Sequence, residues 1–129
     1  MRIHHGLGSI LAMSLASLCA SAKSNDANLT GLPTYPGLTG GTMDNVPRDL
    51  FGHQCTHFAA NSNDALAKVT DWYRKNFADA KETAVNSDNM YGGYFKLDGI
   101  KLKKGNDFIN VYRMQKQEDT SVEIFKCSN

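Results

Sequence analysis

The residues best suited to chemistry are two histidines spaced around a cysteine, His53-x-Cys55-x-His57. Alternate side chains of a β-strand point to the same side, so the two imidazoles and the sulfur would converge. Imidazole and thiolate are ligands of zinc and copper, which leaves His53 and His57 as the candidates for a metal site. Against this, Cys127 is an available disulfide partner, and a bridged Cys55 cannot act as a thiolate ligand. We therefore predict a Cys55–Cys127 disulfide, no metal ligands and no cofactor.

No other group of residues matches a catalytic signature. His53 and His57 are the only histidines after residue 22, and neither lies in a nucleophile-elbow sequence. The acidic residues are scattered and mark no pair for glycoside hydrolysis. The sequence does not decide whether the protein is an enzyme, but the lack of a catalytic signature favours a non-enzymatic role. A small hydrolase or a metal-binding protein that uses His53 and His57 is the alternative.

The first 22 residues have the features of a secretory signal peptide. Arg2 gives a positive start, residues 6–20 are uncharged and largely apolar, and Ala20-Ser21-Ala22 supplies the small-x-small pattern before a cleavage site. The apolar run is shorter than the roughly 20 residues that span a bilayer. We expect a periplasmic or secreted protein without stable membrane insertion after signal cleavage.

The charge balance limits the kinds of partner. The chain has 14 basic and 13 acidic residues, and removal of Arg2 with the signal peptide makes the two numbers equal. A net charge near zero argues against a nucleic-acid partner held by bulk electrostatics. The 107 residues that remain of 129 suffice for one domain. We expect a monomer whose partner is a protein or a small molecule.

Composition and periodicity divide the processed chain into an arm and a domain. Residues 23–50 are polar and contain all three prolines, so we expect an N-terminal arm that is partly flexible. The domain occupies residues 51–129. Its clearest element is a helix that runs from cap candidates at 61–64 to about Ala78, with apolar residues at helical spacing. Polar turns and alternating patterns predict antiparallel strands at 54–60, 94–97, 108–114 and 120–127, with the continuation of 94–97 to 102 left open, and segment 81–85 is a weaker strand candidate.

The predicted fold class is α+β, with one main helix packed on an antiparallel sheet of four or five strands. The disulfide tests this arrangement, because the Cα atoms of bridged cysteines lie within about 7 Å of each other. Cys55 begins the first predicted strand and Cys127 ends the last, so the two strands must be antiparallel. That direction requires segment 81–85 to be a strand. The disulfide and the strand at 81–85 are therefore either both right or both wrong.

Alternation along the strands sends several aromatic side chains to the sheet face turned away from the helix. An exposed apolar patch there would mark a partner surface. The candidate interaction face consists of His57, Tyr94, Phe108, Tyr112 and Phe125. The alternative is that the N-terminal arm covers this face, through Tyr35, Leu38, Val46 and Phe51.

Two short motifs, Tyr35-Pro36-Gly37 and Val69-x-x-Trp72-Tyr73, precede the predicted β meander. This order resembles a group of small exported bacterial proteins of unknown function, which have a Tyr-Pro-Gly motif, a strand, a helix with a V-x-x-W/F-Y pattern and three or four strands. The resemblance covers about residues 32–127. It implies packing roles for the helix motif, no activity and no site residue. The cysteine pair is not part of its pattern.

These observations predict a non-enzymatic binding or interaction module of the periplasm or the extracellular space. It would act through the aromatic face or the arm. A further alternative is an inhibitor of an extracytoplasmic enzyme, which would use exposed loops such as 86–93.

Overall fold

The computed structural model describes residues 25–48, 52–86 and 96–128. They form one antiparallel sheet of six strands in the order β1-β2-β6-β5-β4-β3, with one helix, α1, packed on a face. The predicted signal peptide and Tyr94 lie outside the described residues. The elements are β1 Thr39–Val46, β2 Cys55–Ser62, α1 Leu66–Asn76, β3 Lys81–Asn86, β4 Leu97–Lys104, β5 Asp107–Met114 and β6 Thr120–Cys127.

The predicted fold class, one main helix on a four- to five-stranded sheet, is wrong. The sheet has six strands and dominates the fold, while α1 has only 11 residues. The missed strand is β1, which lies inside the segment predicted as an arm. Gly40-Gly41 suggests flexibility, but Gly41 is the one buried residue of β1. An added Cβ there would lie 2.4 Å from the Asp26 carbonyl oxygen and 2.6 Å from the Phe58 ring, so glycine permits the strand to pack.

Asp26 protects the outer edge of β1. Its backbone N–H donates to the Gly41 carbonyl oxygen at 2.7 Å, and its carboxylate accepts the N–H of Met43 at 2.8 Å. One residue thus satisfies two backbone groups that a neighbouring strand would otherwise bind. Pro47 follows the strand directly and has no N–H to donate. Both features blunt an edge that could pair with another chain.

Helix α1 buries one side against the middle of the sheet. Val69 and Tyr73 are fully buried, and the predicted apolar positions of β5 and β6 meet them in one core. The sheet residues of this core that the sequence predicted are Ile109, Val111, Val122 and Ile124. Burial of each large aliphatic side chain stabilises the fold by about 1.5–3 kcal/mol, which makes this cluster the main apolar contribution.

The start of α1 differs from the sequence prediction. The N-cap residue is Ala65, which makes no side-chain cap bond. Ser62, a predicted cap candidate, is the last residue of β2, and its hydroxyl accepts the N–H of Asp64 at 3.0 Å. The Thr120 hydroxyl donates to the Asp64 carbonyl oxygen at 2.8 Å, so the β2–α1 connection is bound to β6.

The two motifs of the resemblance contact each other. The N–H of Leu38 donates to the Tyr35 carbonyl oxygen at 3.2 Å and closes a turn around Pro36-Gly37. The Tyr35 ring packs edge-on against Trp72, with centroids 5.5 Å apart, and its hydroxyl donates to the Asp64 carboxylate. The Tyr-Pro-Gly turn therefore attaches the N-terminal segment to α1.

The predicted disulfide and strand directions are confirmed. Cys55 and Cys127 are direct partners in the antiparallel β2–β6 ladder, with Cα atoms 4.0 Å apart and the sulfurs bonded. Segment 81–86 is strand β3, as the bridge required. A disulfide is compatible with an oxidising, extracytoplasmic compartment. Among the described residues, no helix has the length and apolar character needed to cross a bilayer.

Candidate functional site

Three stacked rings occupy the sheet face turned away from α1, which we call the far face. The His57 and Phe125 rings are stacked with centroids 4.4 Å apart, and Phe125 stacks on Phe108 at the same distance. The Lys101 ammonium lies 4.4 Å from the Phe108 ring centroid. The row therefore has a cation over the ring at one end and a histidine at the other.

Most of the predicted interaction face is buried. Phe108, Tyr112 and Phe125 are only 9%, 4% and 5% exposed, and each has further contacts beyond the ring stack. Tyr94 lies outside the described residues. These three side chains therefore do not form an exposed aromatic patch. Phe108 and Phe125 instead form a second apolar cluster with the disulfide.

The segment predicted as an arm contributes to both faces of the sheet. Val46 packs against the cluster of Phe108, Phe125 and the disulfide. Tyr35 and Leu38 instead join the core beneath α1. Phe51 lies outside the described residues. The arm thus contacts the aromatic cluster through Val46, while its tyrosine anchors the opposite side.

His57 bridges two carboxylates from the strands on either side of β2. Its Nδ1 lies 2.9 Å from Asp44 Oδ1 on β1, and its Nε2 lies 3.1 Å from Glu123 Oε2 on β6. Ionised carboxylates only accept hydrogen bonds, so both ring nitrogens donate when the ring is protonated to imidazolium. This ion bridge links three strands and leaves no ring nitrogen free to act as a base or ligand.

The surroundings of His57 act on its pKa in opposite directions. Burial lowers the pKa, because it disfavours the charged ring, whereas the hydrogen bonds and charges of Glu123 and Asp44 raise it. The net result is a pKa above the ordinary 6.5. Glu123 has a side chain only 17% exposed, against 64% for Asp44, so solvent screens the Glu123 contact less.

The His57 bridge predicts a pH-dependent stability. A histidine whose pKa is raised in the folded state stabilises fully below the unfolded pKa of 6.5, and the stabilisation is lost as pH rises through the folded value. His57→Gln should therefore lose on the order of 1 kcal/mol relative to the natural protein at acidic pH, with the difference shrinking above pH 6.5. Urea unfolding of both proteins across pH measures this. A difference that grows with rising pH would contradict the bridge.

The two candidates for metal binding are not brought into a ligand set. Cys55 is bridged, both nitrogens of His57 face carboxylates, and His53 is half-buried in the turn before β2. Across residues 25–48, 52–86 and 96–128, no group of three or more histidine, cysteine, aspartate or glutamate side chains has metal-binding geometry.

A cleft of about 600 Å³ opens at the end of the sheet where β4 begins and β5 ends. It is lined by Leu66, residues 96–98 and residues 113–118, and we call it the Arg113 cleft. The turn after β5 forms one wall, held by bonds from Gln115 N–H to the Lys96 carbonyl oxygen at 2.8 Å and from Gln117 N–H to Met114 at 3.1 Å. Small-ligand pockets span roughly 300–1,000 Å³, so the cleft is of suitable size.

Charged groups of both signs line the Arg113 cleft. Arg113 Nε donates to the Gln117 carbonyl oxygen at 2.7 Å, which orients the guanidinium, and its two terminal nitrogens bind no other described residue. Asp98 is the direct cross-strand partner of Arg113, yet the two form no ion pair. The charged lining residues are Lys96, Asp98, Arg113, Lys116 and Glu118. None of these five makes an ion pair with a described residue.

The sequence prediction missed this cleft, although a usable signal was present. The polar turn Lys104–Asp107 fixes the β4–β5 register by pairing residues equally distant from it, and this places Asp98 opposite Arg113. The turn after β5, predicted at 115–119, then carries Lys116 and Glu118 to the same end. Counting residues outward from the hairpin turn would therefore have predicted that these charges lie together. It would not have predicted that they form no ion pairs with described residues.

Comparisons with known proteins add no relative. No protein-family model, no curated protein and no solved structure matches the chain.

Proposed function

We propose that this protein is a non-enzymatic binding module, acting outside the cytoplasm, that holds a zwitterionic small ligand in the Arg113 cleft. The class of ligand that fits best is a short peptide with free ends. The observation that carries the proposal is the set of five charged side chains, of both signs, that share the cleft and form no ion pair with a described residue.

The contrast with the rest of the protein supports this interpretation. Elsewhere, opposite charges that come near each other pair, as Arg74 does with Asp71 and Glu82, and Lys126 with Asp107. In the cleft, Arg113 is oriented by a backbone carbonyl oxygen, and the donors on its two terminal nitrogens meet no described acceptor. A planar guanidinium with free donors suits a carboxylate. Unpaired acids nearby suit an ammonium group.

The division of the lining between charged and apolar groups supports a peptide rather than a simple ion. The apolar part consists of Leu66, Leu97 and Met114. A ligand that is both charged at its ends and apolar between them would use both kinds of lining. The His57 contacts weigh against the hydrolase alternative, because a general base needs a free nitrogen and His57 has none. The inhibitor alternative rests on loop 86–93, most of which lies outside the described residues.

Calorimetric titration with trialanine tests the proposal. We expect saturable binding that weakens about tenfold or more in Arg113→Gln, since a charge-assisted hydrogen bond is worth about 1.5–3 kcal/mol. Arg48→Gln is the matched control, because Arg48 is an exposed arginine outside the cleft. It should bind as the natural protein does.

Blocked peptides separate the two ends of the ligand. Amidation of the carboxyl end should make the affinity for trialanine insensitive to Arg113→Gln. Acetylation of the amino end should make it insensitive to Asp98→Asn. Binding of trialanine that is equally strong in Arg113→Gln, Asp98→Asn and the natural protein would refute the assignment to this cleft.

A further inference from the structure

Three lysines lie together on the far face, on the two strands β3 and β4 at the sheet edge remote from His57. Lys101 and Lys103 alternate along β4, so their side chains leave the same face about 7 Å apart. Lys81 on β3 is the direct cross-strand partner of Lys103. Like charges directly opposite each other destabilise a sheet. None of the three ammonium groups forms an ion pair with a described carboxylate.

At the described far-face positions, β3 and β4 carry no acidic side chain that offsets this charge. The far-face positions of β3 and β4 are Lys81, Thr83, Val85, Leu97, Gly99, Lys101 and Lys103. The acids of the far face, Asp44 and Glu123, lie on β1 and β6 and are bound to His57. A protein with balanced total charge thus has an unbalanced basic patch.

A buried amide without a partner lies beside this patch. Asn110 is the direct partner of Lys101 in the β4–β5 ladder and is only 7% exposed. Its Oδ1 accepts no hydrogen bond from any residue that the structure describes. An unsatisfied buried polar atom costs stability and is rare in folded proteins, so a donor group bound here would offset that cost.

The surroundings of Lys101 also favour a bound anion at this patch. Its side chain is half-buried, with the ammonium over the Phe108 ring. Burial and the charge of Lys103 lower the pKa of Lys101. An anion placed among the lysines would offset both effects, because it favours the charged ammonium.

We propose that Lys81, Lys101 and Lys103, with Asn110 at the inner end, bind a phosphoryl group. A phosphoryl group carries up to two negative charges and has several oxygens, which suits three ammonium donors. A protonated phosphate oxygen can also donate to Asn110 Oδ1. The group would be free phosphate, a phosphorylated small molecule or a lipid headgroup. This site is separate from the Arg113 cleft and does not rest on the function proposed for it.

Thermal unfolding in phosphate and in chloride of equal ionic strength tests the site. At a phosphate concentration about ten times Kd, the midpoint of the natural protein should rise by about 5 °C. Lys81→Gln/Lys103→Gln should lose that rise. Its midpoint in chloride should equal or exceed that of the natural protein, because a repulsive pair is removed. Lys75→Gln, an exposed lysine on α1, should keep the rise.

Vesicles distinguish the sources of the phosphoryl group. Cosedimentation with phosphatidylcholine vesicles that contain phosphatidic acid, lost in the double variant, would assign a lipid headgroup when free phosphate has no effect. Stabilisation by free phosphate that depends on Lys81 and Lys103 would assign a soluble ligand. Equal responses of the natural protein and the double variant in both experiments would overturn the proposal.

Discussion

Replacement of Cys55 and Cys127 together with alanine is expected to lower the free energy of unfolding by about 4 kcal/mol. The bridge closes a loop between residues 72 positions apart, and its loss restores conformational freedom mainly to the unfolded chain. The folded sheet should change little, because the two residues already face each other in the β2–β6 ladder. Urea unfolding of the natural and double-alanine proteins measures the difference.

Alanine is the appropriate replacement at this site. Cys55 is fully buried and Cys127 is 9% exposed, so serine would add buried hydroxyl groups without partners. The reduced natural protein is the control, and it should unfold at nearly the same urea concentration as the double-alanine variant. Two reactive thiols in the denatured, unreduced protein would show that the bridge does not form.

Truncation of Tyr73 to alanine is expected to cost about 3–5 kcal/mol, the range for a large buried aromatic side chain. Tyr73 is fully buried at the centre of the core beneath α1. Its hydroxyl accepts the N–H of Tyr35 at 3.1 Å and donates to the Pro33 carbonyl oxygen at 3.1 Å. Burial raises its pKa to about 12, so the hydroxyl stays neutral and can donate. The side chain thus joins the helix to the Tyr-Pro-Gly turn.

Tyr73→Phe separates the ring from the hydroxyl. Phenylalanine keeps the packing but leaves the N–H of Tyr35 and the carbonyl oxygen of Pro33 without partners, which should cost about 1–3 kcal/mol. Tyr35→Phe, which removes only a bond to the Asp64 carboxylate, is the matched control and should cost less. A Tyr73→Phe protein as stable as the natural one would contradict the anchoring of the turn by this hydroxyl.

Amphipathic segments could be predicted from the sequence because their periodicity records which side is buried. The spacing of Leu66, Val69 and Tyr73 places the helix, and the observed α1 begins and ends within a few residues of the prediction. β6 follows in the same way from its alternation, whereas β5 is buried on both faces and could be predicted from the polar turns at its ends. The two cysteines then fixed strand directions, because a covalent contact between distant residues excludes one of two topologies.

Strand β1 could not be predicted because its sequence carries almost no burial pattern. Its one buried position is a glycine, and its remaining residues are exposed or half-buried. Its place is determined by the edge of β2 and by the bonds that Asp26 makes to it. For the same reason the partners of His57 were hidden, since Asp44 belongs to a strand that the sequence did not indicate.

The most direct test of the proposed binding function is a chemical-shift titration of the isotope-labelled protein with trialanine. The account predicts saturable shifts of backbone amides that cluster at Asp98, Arg113 and Gln117, with no matching changes at His57 on the far face. Shifts that do not saturate, or that saturate at residues away from the end of the β4–β5 hairpin, would contradict it.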